Sequence, residues 1–235
     1  MRLKPWSQLP ADLQCEAVWK YYQHLENKKY GLMLKRLFDV CAALIMLIIL
    51  SPVILILSAL IAMDSPGGVF FRQIRVTTYG REFQIHKFRT MVDGAEQMGS
   101  QITTGNDARI TKIGLFLRKT KLDELPQLLD VLAGDMSFVG TRPEVPEFVA
   151  AYSDEMKATL LLPAGITSEA SIRFKDEAEM LEGVEDIDDV YVKDVLPRKM
   201  KHNLKAIEDF SFFGELATLF RTVFAVLGKE YADEI

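Results

Sequence analysis

Between Asp39 and Asp64 lie 24 residues without a charge, "VCAALIMLIILSPVILILSALIAM". No other feature restricts the fold as strongly. As one helix the run reaches about 36 Å at 1.5 Å per residue, enough for a bilayer core of roughly 30 Å. At its middle stands Ser51-Pro52. Proline removes a backbone donor and crowds the carbonyl four residues earlier, and the residue before it is pushed from helical geometry. In lipid the freed carbonyl needs a partner, and the Ser51 hydroxyl is a local candidate.

Charge placement leaves two topologies open. Lys28, Lys29, Lys35 and Arg36 precede the run, and Arg72, Arg75 and Arg81 follow it. Orientation in membranes follows an asymmetry of Lys and Arg between the two sides. Here both flanks are basic, so a spanning helix would put one cluster on the wrong side. A helix that turns back at Ser51-Pro52 would put both on one side, whereas a kinked span keeps the length argument. The run follows a polar stretch and lacks a small-residue cleavage pattern, which argues against a signal peptide.

The chain has 235 residues and a net charge of −5. That length suits one domain with appendages, and the mild acidity argues against a nucleic-acid partner. Cys15 and Cys41 suggest neither a disulfide framework nor a thiolate metal site. His24, His86 and His202 are scattered and form no ligand spacing.

Residues 11–29 have the periodicity of a helix, with Leu13, Ala17, Tyr21 and Leu25 four apart. It suits a membrane interface, a partner, or packing on its own domain. Stretches at 69–76 and 82–89 flank "TTYG" and predict a β-hairpin with Gly80 in the turn. Residues 92–111 are polar and glycine-containing, as in a mobile loop. Residues 144–160 and 175–209 are mostly helical by pattern. From 210 the chain is an amphipathic helix carrying Phe212, Phe213, Leu216, Leu219, Phe220, Phe224 and Leu227, suited to an interface or equally to packing against protein.

The densest chemistry is "LRKTKLDELPQLLDVLAGDMSFVGTRP". Pro126 is acceptable only in a helix's first turn, so a helix should begin near Asp123. Asp123 and Glu124 then sit at the positive end of a helix dipole, beside Arg118, Lys119 and Lys121. Carboxylates held there stay ionised and can act as nucleophile or metal ligand beside a phosphate. A capping acid with surface ion pairs is the plainer alternative. "GDMSFVGTRP" reads as a loop that can aim N–H groups and Arg142 at phosphate, and "HKFRTM" adds Lys87 and Arg89.

Taken in order, "KRLFDV", the apolar run with Ser-Pro, "KFRTM", the Asp123-Glu124 segment and "PAGIT" resemble the bacterial sugar transferases, the monotopic polyprenyl-phosphate phosphoglycosyl transferases. The match runs from about Lys35 to Thr167. The resemblance implies an enzyme at the cytoplasmic face of the bacterial inner membrane. It would move a phosphosugar from a UDP-sugar donor to undecaprenyl phosphate, with Mg²⁺ as cofactor and release of UMP. By the same resemblance Asp123 is the nucleophile, Glu124 assists it or positions metal and phosphate, and both are the metal-side carboxylates. Arg142, flanked by Thr141 and Pro143, corresponds to the phosphate- or uridine-binding loop, and Lys87, Arg89 and Arg118 to further basic substrate-binding positions. A cytoplasmic donor puts both flanks of the apolar run on one side, so Ser51 and Pro52 become the turning point of a re-entrant element.

This sequence departs from the family pattern in places. Thr141 replaces a proline, Asp130 replaces a common asparagine, and "PAGITSEASIRFKDE" lacks the usual continuation after "PGIT". Tyr191, Pro197 and Lys199 belong to a downstream variant. The expected fold is α+β and mostly helical. It comprises an N-terminal helix extension (1–34), a membrane helix-break-helix (35–66), a catalytic domain with a small hairpin (67–209) and an amphipathic interfacial helix (210–235). Membrane lipid is a further partner, and residues 1–30 offer a surface for a second copy in a homo-oligomer. A non-catalytic scaffold and a nucleotide-sugar hydrolase are the competing functions.

Overall fold

The computed structural model describes residues 1–98, 107–175, 186–229 and 231. The middle of the expected mobile loop, residues 99–106, and the first part of the helical stretch from 175 lie outside the described residues. The fold is mostly helical with two small sheets, in keeping with the α+β expectation.

The hairpin forms where its turn chemistry put it. Strand β1 (Phe70–Val76) pairs antiparallel with β2 (Glu82–Phe88), matching Phe71 with Lys87 and Arg75 with Phe83. Tyr79 and Gly80 both take positive φ, 60° and 75°, the backbone twist that suits a tight hairpin turn and favours glycine at one of the two positions. Alternation puts Phe83, Ile85 and Lys87 on one face of β2, and Phe83 and Ile85 are buried there.

A second sheet was not foreseen. Strands β3 (Met136–Val139) and β4 (Ala164–Thr167) pair in parallel, which corrects the reading of "GDMSFVGTRP" as loop throughout. Parallel strands need a long crossover, and here it carries two helical turns, Pro146–Ala150 and Met156–Leu161. At its start the backbones of Gly140 and Gly165 nearly touch: a Cβ on Gly165 would lie 2.2 Å from the Gly140 nitrogen. Thr77, at the end of the hairpin, joins the two sheets. Its hydroxyl donates to the Asp135 carbonyl and accepts from the Ala164 N–H.

Helix α1 (Glu16–Asn27) is shorter than the 11–29 pattern, because Ala11–Leu13 form a separate 3₁₀ turn. It buries Val18, Tyr21, Tyr22 and Leu25 in the same core as Val145, Phe148, Leu161 and Met200. Of its three candidate roles, packing on its own domain is the one observed.

Helix α2 runs from Lys29 to Asp64, 36 residues, with Pro52 inside it. The expected break at Ser51-Pro52 is therefore absent as an interruption of helix. The reason is local. Pro52 cannot donate to the Ile48 carbonyl, and the Ser51 hydroxyl does so instead at 2.9 Å. One face, with Ala43, Leu47, Leu50, Ile54, Leu57 and Ile61, packs on the domain. The other, including Leu44, Ile48, Ile49, Leu55 and Ile56, is exposed.

Both ends of α2 are tied to the same folded body. Near the start, the Asp39 carboxylate accepts from the Ser137 hydroxyl (2.8 Å) and the Phe138 N–H (3.2 Å). Lys35 donates to the Val139 carbonyl and pairs with Glu215. Arg36 donates to the carbonyls of Val131 and Leu132. At the far end, Asp64 accepts the Ile113 N–H at 3.0 Å, and Arg89 holds the carbonyls of Ser65 and Pro66.

Beyond α3 (Lys112–Thr120), α4 (Leu128–Ala133), α5 (Pro146–Ala150), α6 (Glu169–Arg173) and α7 (Ile187–Val190), the described residues include two longer helices, α8 (Leu196–Glu208) and α9 (Phe212–Val226). The Ser211 hydroxyl caps α9 by accepting the Gly214 N–H. Leu219 packs on the domain, while Phe213, Phe220, Phe224 and Leu227 stand more than half exposed.

Candidate active site

Helix α3 ends at Thr120, where Lys121 takes a left-handed conformation (φ 57°) and reverses the chain. A 3₁₀ turn, Leu122–Gln127, then leads straight into α4. Asp123 and Glu124 therefore do lie at the start of a helical segment, though its first turn is the tighter 3₁₀ form and α-helix begins only at Leu128. Pro126 lies beyond the first 3₁₀ turn and two residues ahead of Leu128, where its missing N–H interrupts no bond of the α-helix.

Two cations from distant segments converge on Glu124. Lys87 comes from the core-facing side of β2, and its Nζ donates to Glu124 Oε1 at 3.0 Å. Arg142 comes from the segment after β3 and donates to the same oxygen at 2.7 Å. Burial alone would raise the Glu124 pKa, but Arg142 and Lys87 outweigh it and hold this carboxyl far below the usual range. Burial pulls the Lys87 ammonium down, a shift that Glu124 opposes.

Asp123 is placed differently. It is also buried, yet its Oδ1 has no hydrogen-bond partner. Burial pushes its pKa up, Lys87 pulls it down, and the neighbouring Glu124 pushes it up again; the net direction is upward. A poorly solvated carboxylate oxygen with free lone pairs is a better base and nucleophile than one in water. The adjacent pair thus splits into a clamped, ionised Glu124 and an unclamped Asp123. Adjacent titratable groups pushed apart in this way are a signature of divided chemical roles.

The other basic positions are distributed around this pair. Arg118 is half-buried, donates to the Thr90 hydroxyl at 2.9 Å, and is near enough to Asp123 to favour its ionised form. Arg89 is occupied with the end of α2, holding the Ser65 and Pro66 carbonyls. Thr141 and Pro143 serve through their backbones. The Thr141 carbonyl accepts the Gly165 N–H (2.8 Å) and the Pro143 carbonyl accepts Arg75 (3.0 Å), so both neighbours of Arg142 are fixed.

Arg75 was missed as a site residue, having been counted only among the basic flanks. The alternation of β1 carried a signal: Phe71, Gln73 and Arg75 share a face and pair with Lys87, Ile85 and Phe83. Asp130, the replacement for a common asparagine, is buried and accepts both the His86 N–H (2.9 Å) and the His86 ring (2.6 Å). It thereby anchors β2 one residue before Lys87.

Among the described residues no group of three or more His, Cys, Asp and Glu forms a metal cage. Mg²⁺ does not need one, since it commonly binds through one or two carboxylates plus substrate phosphates. The unpartnered Oδ1 of Asp123 is a hard oxygen donor of the right kind, and Glu124 lies beside it. These residues fit a Mg²⁺ ion shared with a diphosphate.

A family model described as bacterial sugar transferase matches residues 30–229. A UDP-N-acetylgalactosamine-undecaprenyl-phosphate N-acetylgalactosaminephosphotransferase from Aeromonas hydrophila is 34% identical over 215 residues, 87% of this chain and 48% of that protein. A UDP-glucose:undecaprenyl-phosphate glucose-1-phosphate transferase from Escherichia coli K12 is 34% identical over 82% of this chain and 40% of its own length. An uncharacterised sugar transferase of Bacillus subtilis is 33% identical over 85% of this chain and 90% of its own. The chain thus spans less than half of two of these relatives and nearly all of the third.

Proposed function

The chain belongs to the bacterial sugar transferase family, and from that premise we propose that it is a membrane phosphoglycosyl transferase. It would take a UDP-sugar as donor and undecaprenyl phosphate as acceptor, and start a surface or secreted glycan. The observation that carries the reading is the divided carboxylate pair, with Asp123 Oδ1 unpartnered beside a Glu124 clamped by Lys87 and Arg142.

In the first step the Asp123 carboxylate attacks the β-phosphorus of the donor in line. The bond from that phosphorus to the bridging oxygen breaks, UMP leaves with the bonding electrons, and an aspartyl phosphosugar remains. In the second step an oxygen of the lipid phosphate attacks the same phosphorus, and the Asp123 carboxylate departs. A diphosphate would repel a carboxylate nucleophile, so positive charge must be in place beforehand. Lys87 and Arg142 supply it from the chain, held on Glu124 until a phosphate arrives to share them. Bound Mg²⁺ would neutralise further phosphate charge. Burial keeps water from the aspartyl phosphate and favours the lipid as acceptor.

The acceptor's phosphate lies at a bilayer surface, and α2 offers the means of reaching it. Both of its ends are hydrogen-bonded to the catalytic body while the middle of its outer face is exposed and apolar. This arrangement supports a re-entrant element that dips into the cytoplasmic leaflet of the inner membrane and returns, bent at Pro52 within a continuous helix.

The test is UMP release from a panel of UDP-sugars with Mg²⁺, with and without undecaprenyl phosphate. The expected result is turnover that needs the lipid, together with label from a β-phosphorus-labelled donor on the wild-type chain and none on Asp123→Asn. UMP release at full rate without lipid would point to hydrolysis. No release with any donor would leave a scaffold.

A further inference from the structure

We propose that Glu144, Tyr191 and Lys199 form a buried positioning device that fixes Arg142 at the site, so that the downstream segment of the chain sets how the donor's phosphates are held. The proposal rests on the transferase reading for its kinetic consequence, and on geometry for the device itself.

Arg142 is the more exposed of the two cations on Glu124, with 39% of its side chain accessible against 16% for Lys87. A half-exposed arginine keeps one orientation only if its base is rigid. Two residues on, Glu144 is almost fully buried. Its Oε1 accepts the Tyr191 hydroxyl at 2.6 Å, and Lys199 Nζ donates to that hydroxyl at 2.9 Å. Lys199 stands 3.9 Å from Glu144 Oε1, and Arg75 stands 4.0 Å from Oε2. The backbone is tied as well: the Val76 N–H donates to the Glu144 carbonyl at 3.0 Å, next to the Arg75 bond to Pro143.

The surroundings are apolar. Phe148 lies against the Tyr191 ring at 5.0 Å, and Val195, Leu196 and Met200 complete the same core. Burying a carboxylate and an ammonium in such a place, with the Arg75 guanidinium partly buried at its edge, gives little net stability over well-packed apolar residues, so stability alone does not account for the cluster. What it does provide is a single geometry, because every member is lost if one moves.

The local helix is built to make the cluster. Residues Tyr191–Val195 form one wide π turn, in which the Leu196 N–H reaches back five residues to the Tyr191 carbonyl. Pro197 follows with no N–H of its own to close an ordinary turn. In a regular α-helix residues eight apart are rotated by about 80° from alignment, at about 100° per residue. One residue absorbed by the π turn returns them to about the seven-residue alignment, on the same face. Tyr191 and Lys199 are eight apart, and the wide turn lets both reach Glu144.

Two measurements decide the proposal. The first compares Tyr191→Phe and Lys199→Met in the wild-type and Arg142→Ala backgrounds. Each should lower kcat/KM for the UDP-sugar about tenfold in the first, mostly through KM, and change it little in the second. An equal proportional loss in both backgrounds, or none in either, would overturn it. The second needs no turnover: hydrogen exchange of peptides covering residues 140–146. Tyr191→Phe should speed exchange there and leave peptides from α2 and α9 unchanged. Unchanged exchange in 140–146, or a rise everywhere, would overturn the device. If the parent chain releases no UMP, the transferase reading falls and the exchange result still decides the positioning.

Discussion

Asp123 and Glu124 are neighbours in sequence and opposites in environment, and replacing each should have opposite effects on stability. Asp123 is a carboxylate whose pKa is raised mainly by burial, so its ionised form works against folding at neutral pH. Asp123→Asn should abolish turnover yet raise the melting temperature, by about 1–2 kcal/mol of stability, since a desolvated charge is removed. Thermal melts alongside covalent labelling would check both halves. Glu124→Gln should do the reverse, leaving Lys87 and Arg142 without a counter-charge, with a loss of about 3 kcal/mol and more than a hundredfold in kcat/KM. The pH dependence follows in sign. Glu124 is depressed in the folded state, so its contribution is present above the ordinary carboxylate pKa and is lost as pH falls through its lowered value. Acid unfolding of the wild type should therefore be steeper with pH than that of Glu124→Gln.

Elements announced themselves in the sequence where their signal was local. The hairpin was legible because "TTYG" and the flanking alternation lie within twenty residues. Helix α2 was legible from length and apolarity. Strands β3 and β4 were not, because four consecutive buried residues such as Met136–Val139 show no alternation, and their partner arrives only after a crossover. The site divides in the same way. Asp123, Glu124 and Arg142 sit close in sequence and Lys87 lies in a basic motif, whereas Arg75 showed only in the alternation of β1 and Glu144 matters through contacts that no spacing encodes. Arg89, grouped with the site by its motif, grips the end of α2. Arg89→Ala would leave the Ser65 and Pro66 carbonyls without that donor, and a loss of about 1–3 kcal/mol with donor KM nearly unchanged is expected from melts and kinetics. A membrane-impermeant label should reach a cysteine placed at residue 1 only from the cytoplasmic side; labelling only from the periplasm would sink the re-entrant topology.

Among the described residues, exposed apolar side chains are concentrated on α2 and at the C-terminal end (Phe213, Phe220, Phe224 and Leu227), with others such as Leu115 and Phe116 of α3 and Phe70 and Ile74 of β1. Such a broad exposure is more than scattered surface residues require. If these faces meet lipid, Phe220→Ser with Phe224→Ser should raise the acceptor KM several-fold and leave the rate of donor labelling unchanged. Melting temperature should hardly move, because more than half of each ring is free of protein. The ion pair between Lys35 and Glu215 ties the head of α2 to α9 across 180 positions of the chain. On a ribosome the apolar helix emerges long before its acidic partner exists. Until Glu215 is made, Lys35 lacks this carboxylate, and the growing chain carries α2 without the clasp that joins it to α9.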